Sequence, residues 1–124
     1  MKESRTTTAH LVMGDDGILR IHIFEGALIR LQDVHNHYES AHRLTGNQKA
    51  LVLVYGNVNY RITREAQRYA ATQAHTRRAT AVLTSKRSVM FITWLYRLFF
   101  RPATPIRPFT SEEKALAWLK SFQK

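Results

Sequence analysis

The chain has 124 residues, with 19 Lys and Arg against 9 Asp and Glu, which gives a formal net charge of +10. It contains no cysteine, so disulfide bonds, thiolate metal sites and cysteine nucleophiles are excluded. Because a domain commonly has about 100 to 200 residues, and 44% of this chain is hydrophobic, we expect a single domain over residues 1–124. Residues 1–7 are polar, and we expect them to form a flexible tail.

The first predicted element is an antiparallel hairpin. Two apolar runs between Thr8 and Phe24 flank the sequence Gly-Asp-Asp-Gly at 14–17, and Asp-Gly favours a tight turn. An amphipathic helix over 28–45 follows, with apolar residues at steps of three and four and Gly46 as its end.

The next segments alternate between strand and helix. Ala50 to Tyr55 is apolar without alternation, as in a central strand buried on both faces. Thr63 is a good N-cap for a second helix. The remaining predicted elements are a strand over 79–84, a helix over 86–101, an edge strand over 105–109, and a helix that begins with a Thr110–Glu113 capping box.

This order predicts the fold class. A hairpin followed by β-α-β-α-β-α-β-α requires parallel strands joined by right-handed crossovers. We therefore expect an α/β protein with a mixed five-stranded sheet.

Several segments of the chain resemble one known family. They are Gly17-Ile-Leu-Arg-Ile-His, Thr63-Arg-Glu-Ala, Ala79-Thr-Ala-Val-Leu and the ending Pro105-Ile-Arg-Pro-Phe-Thr-Ser-Glu-Glu-Lys-Ala-Leu-Ala-Trp-Leu. These segments are similar to STAS-like domains, which are relatives of the anti-anti-sigma factors and share a SpoIIAA-like α/β superhelix with CRAL-TRIO lipid-binding domains. The resemblance covers nearly the whole chain and implies a fold and a binding role, without a defined reaction.

One departure from that family concerns phosphorylation. Anti-anti-sigma factors carry an Asp-Ser-Ser-Gly-type segment with a phosphorylated serine where the second crossover helix begins. Here that region is Tyr60-Arg-Ile-Thr-Arg-Glu65, in which Thr63 is the hydroxyl nearest to the equivalent position. Thr63 lacks the neighbouring Asp and Gly, so an N-cap explains it better than a phosphoacceptor.

The positive charge is concentrated in the middle of the chain. Residues 1–59 carry six basic and six acidic side chains, whereas residues 60–107 carry ten basic side chains against Glu65. Cations flank the predicted beginnings of two helices, where the macrodipole disfavours them. In a parallel sheet those helix beginnings lie at the edge where ligands bind. The candidate anion-binding residues are Arg61, Thr63, Arg64, Ser85, Lys86 and Arg87; the alternative is that these side chains only extend into solvent.

The predicted helix over 86–101 is apolar on more than one face. One face is sufficient for packing on the sheet, and a second face is left over, which consists of Met90, Phe91, Trp94 and Leu98. Such a face favours a homodimer, a lipid pocket or a protein partner. Coverage by the C-terminal segment is an equally good explanation.

The remaining patterns argue against catalysis, cofactors and specific nucleic-acid recognition. His35, Glu39 and His42 share one side of a helix, but the two histidines are about 10 Å apart along the axis, too far for one zinc ion. No nucleophile elbow, glycine-rich phosphate loop or His-Glu-x-x-His pair is present, and there is no helix-turn-helix or aromatic RNA-binding pattern. We expect a cytoplasmic, non-enzymatic interaction or regulatory module that forms a homodimer and needs no cofactor or metal. The alternative is a domain that binds a lipid or a small anion.

Overall fold

The structure, a computed structural model, describes residues 2–46, 48–84 and 104–123. Its strands are β1 (Glu3–Arg5), β2 (Ala9–Met13), β3 (Ile18–Ile23), β4 (Ala27–Ile29), β5 (Ala50–Tyr55), β6 (Tyr60–Ile62), β7 (Arg77–Leu83) and β8 (Ile106–Phe109). Its α-helices are α1 (Leu31–Thr45), α2 (Arg64–Thr72) and α3 (Glu112–Lys120), and a 3₁₀ turn (Ala74–Thr76) follows α2.

The main sheet is mixed and has six strands in the order β1-β2-β3-β5-β7-β8. Strands β1, β2 and β3 pair antiparallel, whereas β3, β5, β7 and β8 pair parallel. The α/β class, the hairpin and the position of the last strand at an edge are thereby confirmed.

The number of strands is a correction, because five were predicted. Glu3–Arg5 lies in the segment expected to be a tail, yet it pairs with residues 10–12 of β2. The sequence Glu-Ser-Arg has no apolar alternation, so nothing in it indicates a strand. Its pairing depends on backbone hydrogen bonds, which no side-chain pattern reveals.

The structure also contains a short second sheet, which was not predicted. Strands β4 and β6 pair parallel, with Ile29 opposite Ile62. For this reason α1 begins at Leu31 and not at residue 28, where the apolar periodicity placed its start. The apolar periodicity correctly predicts the helix, but Leu28 belongs to β4 and not to the helix.

Helix boundaries are otherwise close to the prediction. Gly46 ends α1 with a positive φ of 69°, a conformation that favours glycine. Helix α3 has Ser111 as its N-cap, one residue after the predicted Thr110, and the Ser111 hydroxyl accepts a hydrogen bond from the Lys114 N–H at 3.3 Å. The predicted helix over 86–101 lies outside the described residues.

Apolar side chains form a core on each face of the main sheet. Helix α3 covers one face with Ala115 and Leu119, and α1 covers the other with Ala41. A third, smaller cluster joins Ile29 of β4, Val34 of α1 and Ala66 of α2. This third cluster fixes the beginnings of α1 and α2 relative to each other.

Candidate functional site

The predicted anion site is centred on the beginning of α2. Tyr60 and Ile62 of β6 pack against the third apolar cluster, so Arg61, which lies between them, is on the outside and exposed. Arg64 and Arg68 are one turn apart on α2 and are also exposed. The alternation of the strand and the period of the helix thus place three guanidinium groups around the β6–α2 junction.

Thr63 is the N-cap of α2, as predicted. Its hydroxyl accepts a hydrogen bond from the Ala66 N–H at 3.1 Å. One of the donors that a helix beginning leaves unpaired is therefore satisfied within the chain. The Thr63 hydroxyl therefore stabilises the beginning of α2.

The beginning of α1 lies beside that of α2. The Thr63 N–H donates a hydrogen bond to the Ile29 carbonyl at 3.0 Å, which brings Arg30, the N-cap of α1, next to the β6–α2 junction. The Arg30 N–H donates to the Asp33 carboxylate at 2.8 Å. Both helix beginnings therefore contain an internal acceptor for one backbone N–H, and the arginine side chains are the charged groups that they present to a ligand.

We refer to Arg30, Arg61, Arg64 and Arg68 as the arginine surface. Arg30 was not among the predicted site residues, because its proximity to Arg64 follows from the pairing of β4 with β6. Within the described part of the chain, the ion pairs are His10–Glu3, Arg20–Asp16 and His35–Glu39, none of which involves the arginine surface. Its four cations therefore have no acidic partner among the described residues.

The other predicted site residues cannot be placed. Ser85, Lys86 and Arg87 of the anion site, and Met90, Phe91, Trp94 and Leu98 of the interface, lie outside the described residues. The convergence predicted between the helices that begin near Thr63 and Ser85 therefore stays a prediction. The convergence that the structure does show is between α1 and α2.

A second polar cluster lies on the sheet face that α3 covers only in part. The rings of His22 and Tyr55 stack at 4.1 Å with an angle of 10° between their planes. Asp16 accepts two hydrogen bonds from the Arg20 guanidinium at 3.0 and 2.9 Å, which lower the pKa of the carboxyl from 3.8 to about 2. The same pairing raises the pKa of Arg20.

Burial also affects the two stacked rings. It is the main cause that lowers the pKa of His22 and raises the pKa of Tyr55, and the negative charge of Glu112 raises the pKa of Tyr55 further. His22 and Tyr55 lie near the carboxyl ends of β3 and β5, which is the edge where a sheet of this type binds ligands. Each of these side chains interacts with another side chain of the cluster, so contacts within the fold are sufficient to explain why these residues lie together.

The histidines do not form a metal centre in the described ranges. The His35 Nε2 and a Glu39 carboxylate oxygen are 3.7 Å apart at neighbouring turns of α1. Among residues 2–46, 48–84 and 104–123, no group of three or more potential metal ligands is close enough to hold an ion.

Comparison with known proteins gives the family. The model of a domain of unknown function, DUF7793, matches residues 12–123. The chain belongs to this family. No curated protein shows significant similarity to the chain.

Comparison with solved structures concerns the fold. An uncharacterized protein of the DUF3478 family from Shewanella loihica PV-4, described as having a SpoIIAA-like fold, superposes with a TM-score of 0.62 at 12% identity, over 94% of this chain and 90% of that one. A protein with unknown function from Arthrobacter sp. FB24 is 26% identical over 96% of this chain and 98% of that one, with a TM-score of 0.37. The superposition on the DUF3478-family protein confirms the SpoIIAA-like fold expected from the resemblance to STAS-like domains.

The described helices were also compared with the requirements of a membrane span. Within the three described ranges, none has the length and hydropathy that crossing a bilayer needs.

Proposed function

We propose that this member of the DUF7793 family is a non-enzymatic interaction module, which binds an acidic protein segment through the arginine surface. The observation that carries the proposal is the set of exposed cations at the adjoining beginnings of α1 and α2, with no acidic partner among the described residues. A positive surface of this kind steers and orients an acidic partner.

The placement of these charges has an energetic cost in the isolated protein. A cation at a helix beginning opposes the macrodipole by about 0.3 to 1 kcal/mol. Arg64 and Arg68 are four residues apart on α2, where like charges cost about 0.2 to 0.5 kcal/mol. An acidic partner offsets both terms, which supports a role for the surface in binding.

The strongest pKa shifts support binding over catalysis. His37, Asp16 and Arg20 carry them, and each shift is explained by burial or by a partner within the fold. None of these three residues belongs to the arginine surface. A catalytic site is expected to gather such groups at an accessible position.

The proposal is tested with a short poly-glutamate peptide as the probe. We expect Arg64→Glu/Arg68→Glu to weaken binding about tenfold or more at low salt, because two favourable contacts become repulsive. Lys114→Glu/Lys120→Glu is the matched control, since it makes the same change in net charge on α3, which packs on the opposite face of the sheet. Fluorescence anisotropy across a salt series measures both affinities.

Two results would contradict the proposal. Equal weakening by the two double variants would show that binding follows net charge and not the arginine surface. Tighter binding of a random-sequence DNA duplex than of poly-glutamate, at physiological salt, would indicate a nucleic-acid partner in place of an acidic protein.

A lipid headgroup or a small anion is the alternative ligand for the same residues. The adjoining helix beginnings favour it, but the Thr63 hydroxyl and the Asp33 carboxylate each already accept a hydrogen bond from one backbone N–H there. Flotation with vesicles that contain phosphatidylserine separates the candidates. Retention on these vesicles that is lost in the Arg64→Glu/Arg68→Glu variant supports the lipid, whereas binding to poly-glutamate alone supports the acidic segment.

A further inference from the structure

A groove opens at the other end of the molecule, where the parallel strands begin. It has a volume of about 430 Å³ and lies between the C-terminal half of α1 and the segment formed by α2 and the 3₁₀ turn. Its apolar floor is made by Leu19, Ala41, Ala50 and Val52. The arginine surface lies where α1 and α2 begin, so the two sites are at opposite ends of these helices.

Arg77, the first residue of β7, lines this groove and is half-buried. Its guanidinium carbon lies 4.4 Å from the centre of the Tyr38 ring, which is a cation–π contact. The Tyr38 hydroxyl donates to the Ala70 carbonyl of α2 at 3.4 Å, so the ring that supports the guanidinium is itself held between two helices. The position of the charge is therefore fixed before any ligand binds.

One hydrogen-bond donor of the Arg77 guanidinium, the Nε–H, lacks an acceptor in the described part of the chain. The Nε atom is buried and has no hydrogen-bond partner there. None of the ion pairs between described residues includes Arg77. A buried donor without an acceptor is unfavourable, because it has lost its hydrogen bonds to water and gained none in the protein. Such a group calls for an explanation, and an oxyanion beside the guanidinium is the acceptor that suits it best.

The other residues that line the groove indicate the chemical character of the rest of the ligand. Lys49 contributes a second cation, and Glu39 is near His35. Tyr69 meets Tyr38 edge to face at 6.5 Å between ring centres, so aromatic rings border the groove beside Arg77. The volume lies within the usual range for a small-molecule site, which is about 300 to 1,000 Å³.

We propose that this groove binds a small organic oxyanion, a carboxylate or a phosphate monoester with an apolar, ring-containing body, and that Arg77 is its anion-binding residue. Tyr38 is a positioning residue, which holds the guanidinium in place. The oxyanion accepts hydrogen bonds from Arg77, and the apolar body lies against the floor. This site is independent of the arginine surface.

The test is a titration of the isotope-labelled protein, followed by NMR, with inorganic phosphate, phenyl phosphate and benzoate. We expect phenyl phosphate or benzoate to bind saturably and about tenfold or more tightly than inorganic phosphate, because only they contact the apolar floor. The amides that shift are expected in residues 48–50 and 73–77. The organic anion that binds more tightly identifies the ligand's acid group.

The variants assign the binding to one residue. We expect Arg77→Gln to weaken the organic anion about tenfold or more, as loss of a charge-assisted hydrogen bond implies. Arg78→Gln is the matched control, since it removes the same charge from the next, exposed residue of β7. If Arg77→Gln does not fold, Arg77→Met and Tyr38→Leu test the same contact.

The proposal is wrong if neither organic anion saturates the shifts at tens of millimolar, or if Arg77→Gln binds as tightly as Arg78→Gln. The variants also separate this site from the arginine surface. Arg77→Gln is expected to leave binding of poly-glutamate unchanged, and Arg64→Glu/Arg68→Glu to leave binding of the organic anion unchanged within about twofold.

Discussion

His37 is a titratable residue on the buried face of α1, and only 8% of it is exposed. Its Nε2 atom lies 2.6 Å from the Thr8 hydroxyl, which precedes β2. Burial lowers the pKa of His37 from 6.5 to about 4; the negative charge of Asp33 opposes this, and the positive charge of Arg77 adds to it. The contact joins the helix to the sheet, and burial favours the neutral imidazole there because a buried charge is unfavourable.

The lowered pKa of His37 predicts how the free energy of unfolding depends on pH. The unfolded chain takes up the proton near pH 6.5, whereas the folded chain takes it up only near pH 4. The contribution of His37 is thus fully present above about pH 6.5, and it decreases by about 3 kcal/mol as the pH falls through that window. Urea unfolding at pH 7, 5.5 and 4 measures the slope.

The His37→Gln variant assigns that slope to one residue. Glutamine keeps a polar partner for Thr8 but does not titrate, so we expect a shallower loss of unfolding free energy toward pH 4. His42→Gln, at an exposed position of the same helix, is the control and is expected to keep the wild-type slope. If His37→Gln keeps it too, another group carries the pH dependence.

At the scale of the element, the predicted helix over 86–101 carries the remaining functional hypothesis. Its second apolar face, with Met90, Phe91, Trp94 and Leu98, predicts self-association. We therefore expect the protein to sediment as a dimer and Trp94→Glu to sediment as a monomer, because a carboxylate cannot be buried there without a partner. Analytical ultracentrifugation measures the mass in solution.

Trp94→Phe is the conservative control for this experiment, and it is expected to remain dimeric. A monomeric wild-type protein would overturn the prediction. A dimer that persists in soluble, folded Trp94→Glu would place the interface on another surface.

At the scale of the whole molecule, β1 closes one edge of the main sheet. The Met13 N–H donates to the Lys2 carbonyl at 2.8 Å, and the Ser4 hydroxyl donates to the Ser40 hydroxyl of α1 at 3.1 Å. These contacts join the beginning of the chain to both the sheet and the helix layer. They also cover the edge of β2, which is otherwise available for pairing with another chain.

We expect deletion of residues 2–6 to lower the free energy of unfolding by about 2 kcal/mol, because several backbone hydrogen bonds worth about 0.5 to 1.5 kcal/mol each are lost. Replacement of Glu3 and Arg5 by threonine is the control, since it keeps the backbone pairing of β1. Chemical denaturation and light scattering measure stability and association. An unchanged unfolding midpoint would show that the segment behaves as a tail.

The sequence by itself determined the features whose signals lie within a few residues. Asp-Gly at 16–17 predicts the hairpin, Thr63 caps α2, Gly46 ends α1, and a last edge strand contains Pro108. Strand and helix periodicities gave the α/β class, and the segment motifs gave the SpoIIAA-like fold. Arg61 and Arg64 are exposed, which is compatible with both the anion site and the alternative of solvated side chains, so the anion site stays a prediction.

Only the tertiary structure decided what distant segments bring together. The pairing of β1 with β2, and of β4 with β6, rests on backbone hydrogen bonds, for which short strands have no side-chain signature. That pairing places Arg30 beside α2, and the packing of α1 on the sheet places Tyr38 under Arg77, 39 residues later (77 − 38). Both candidate sites therefore depend on long-range contacts, which local patterns of charge and hydropathy do not encode.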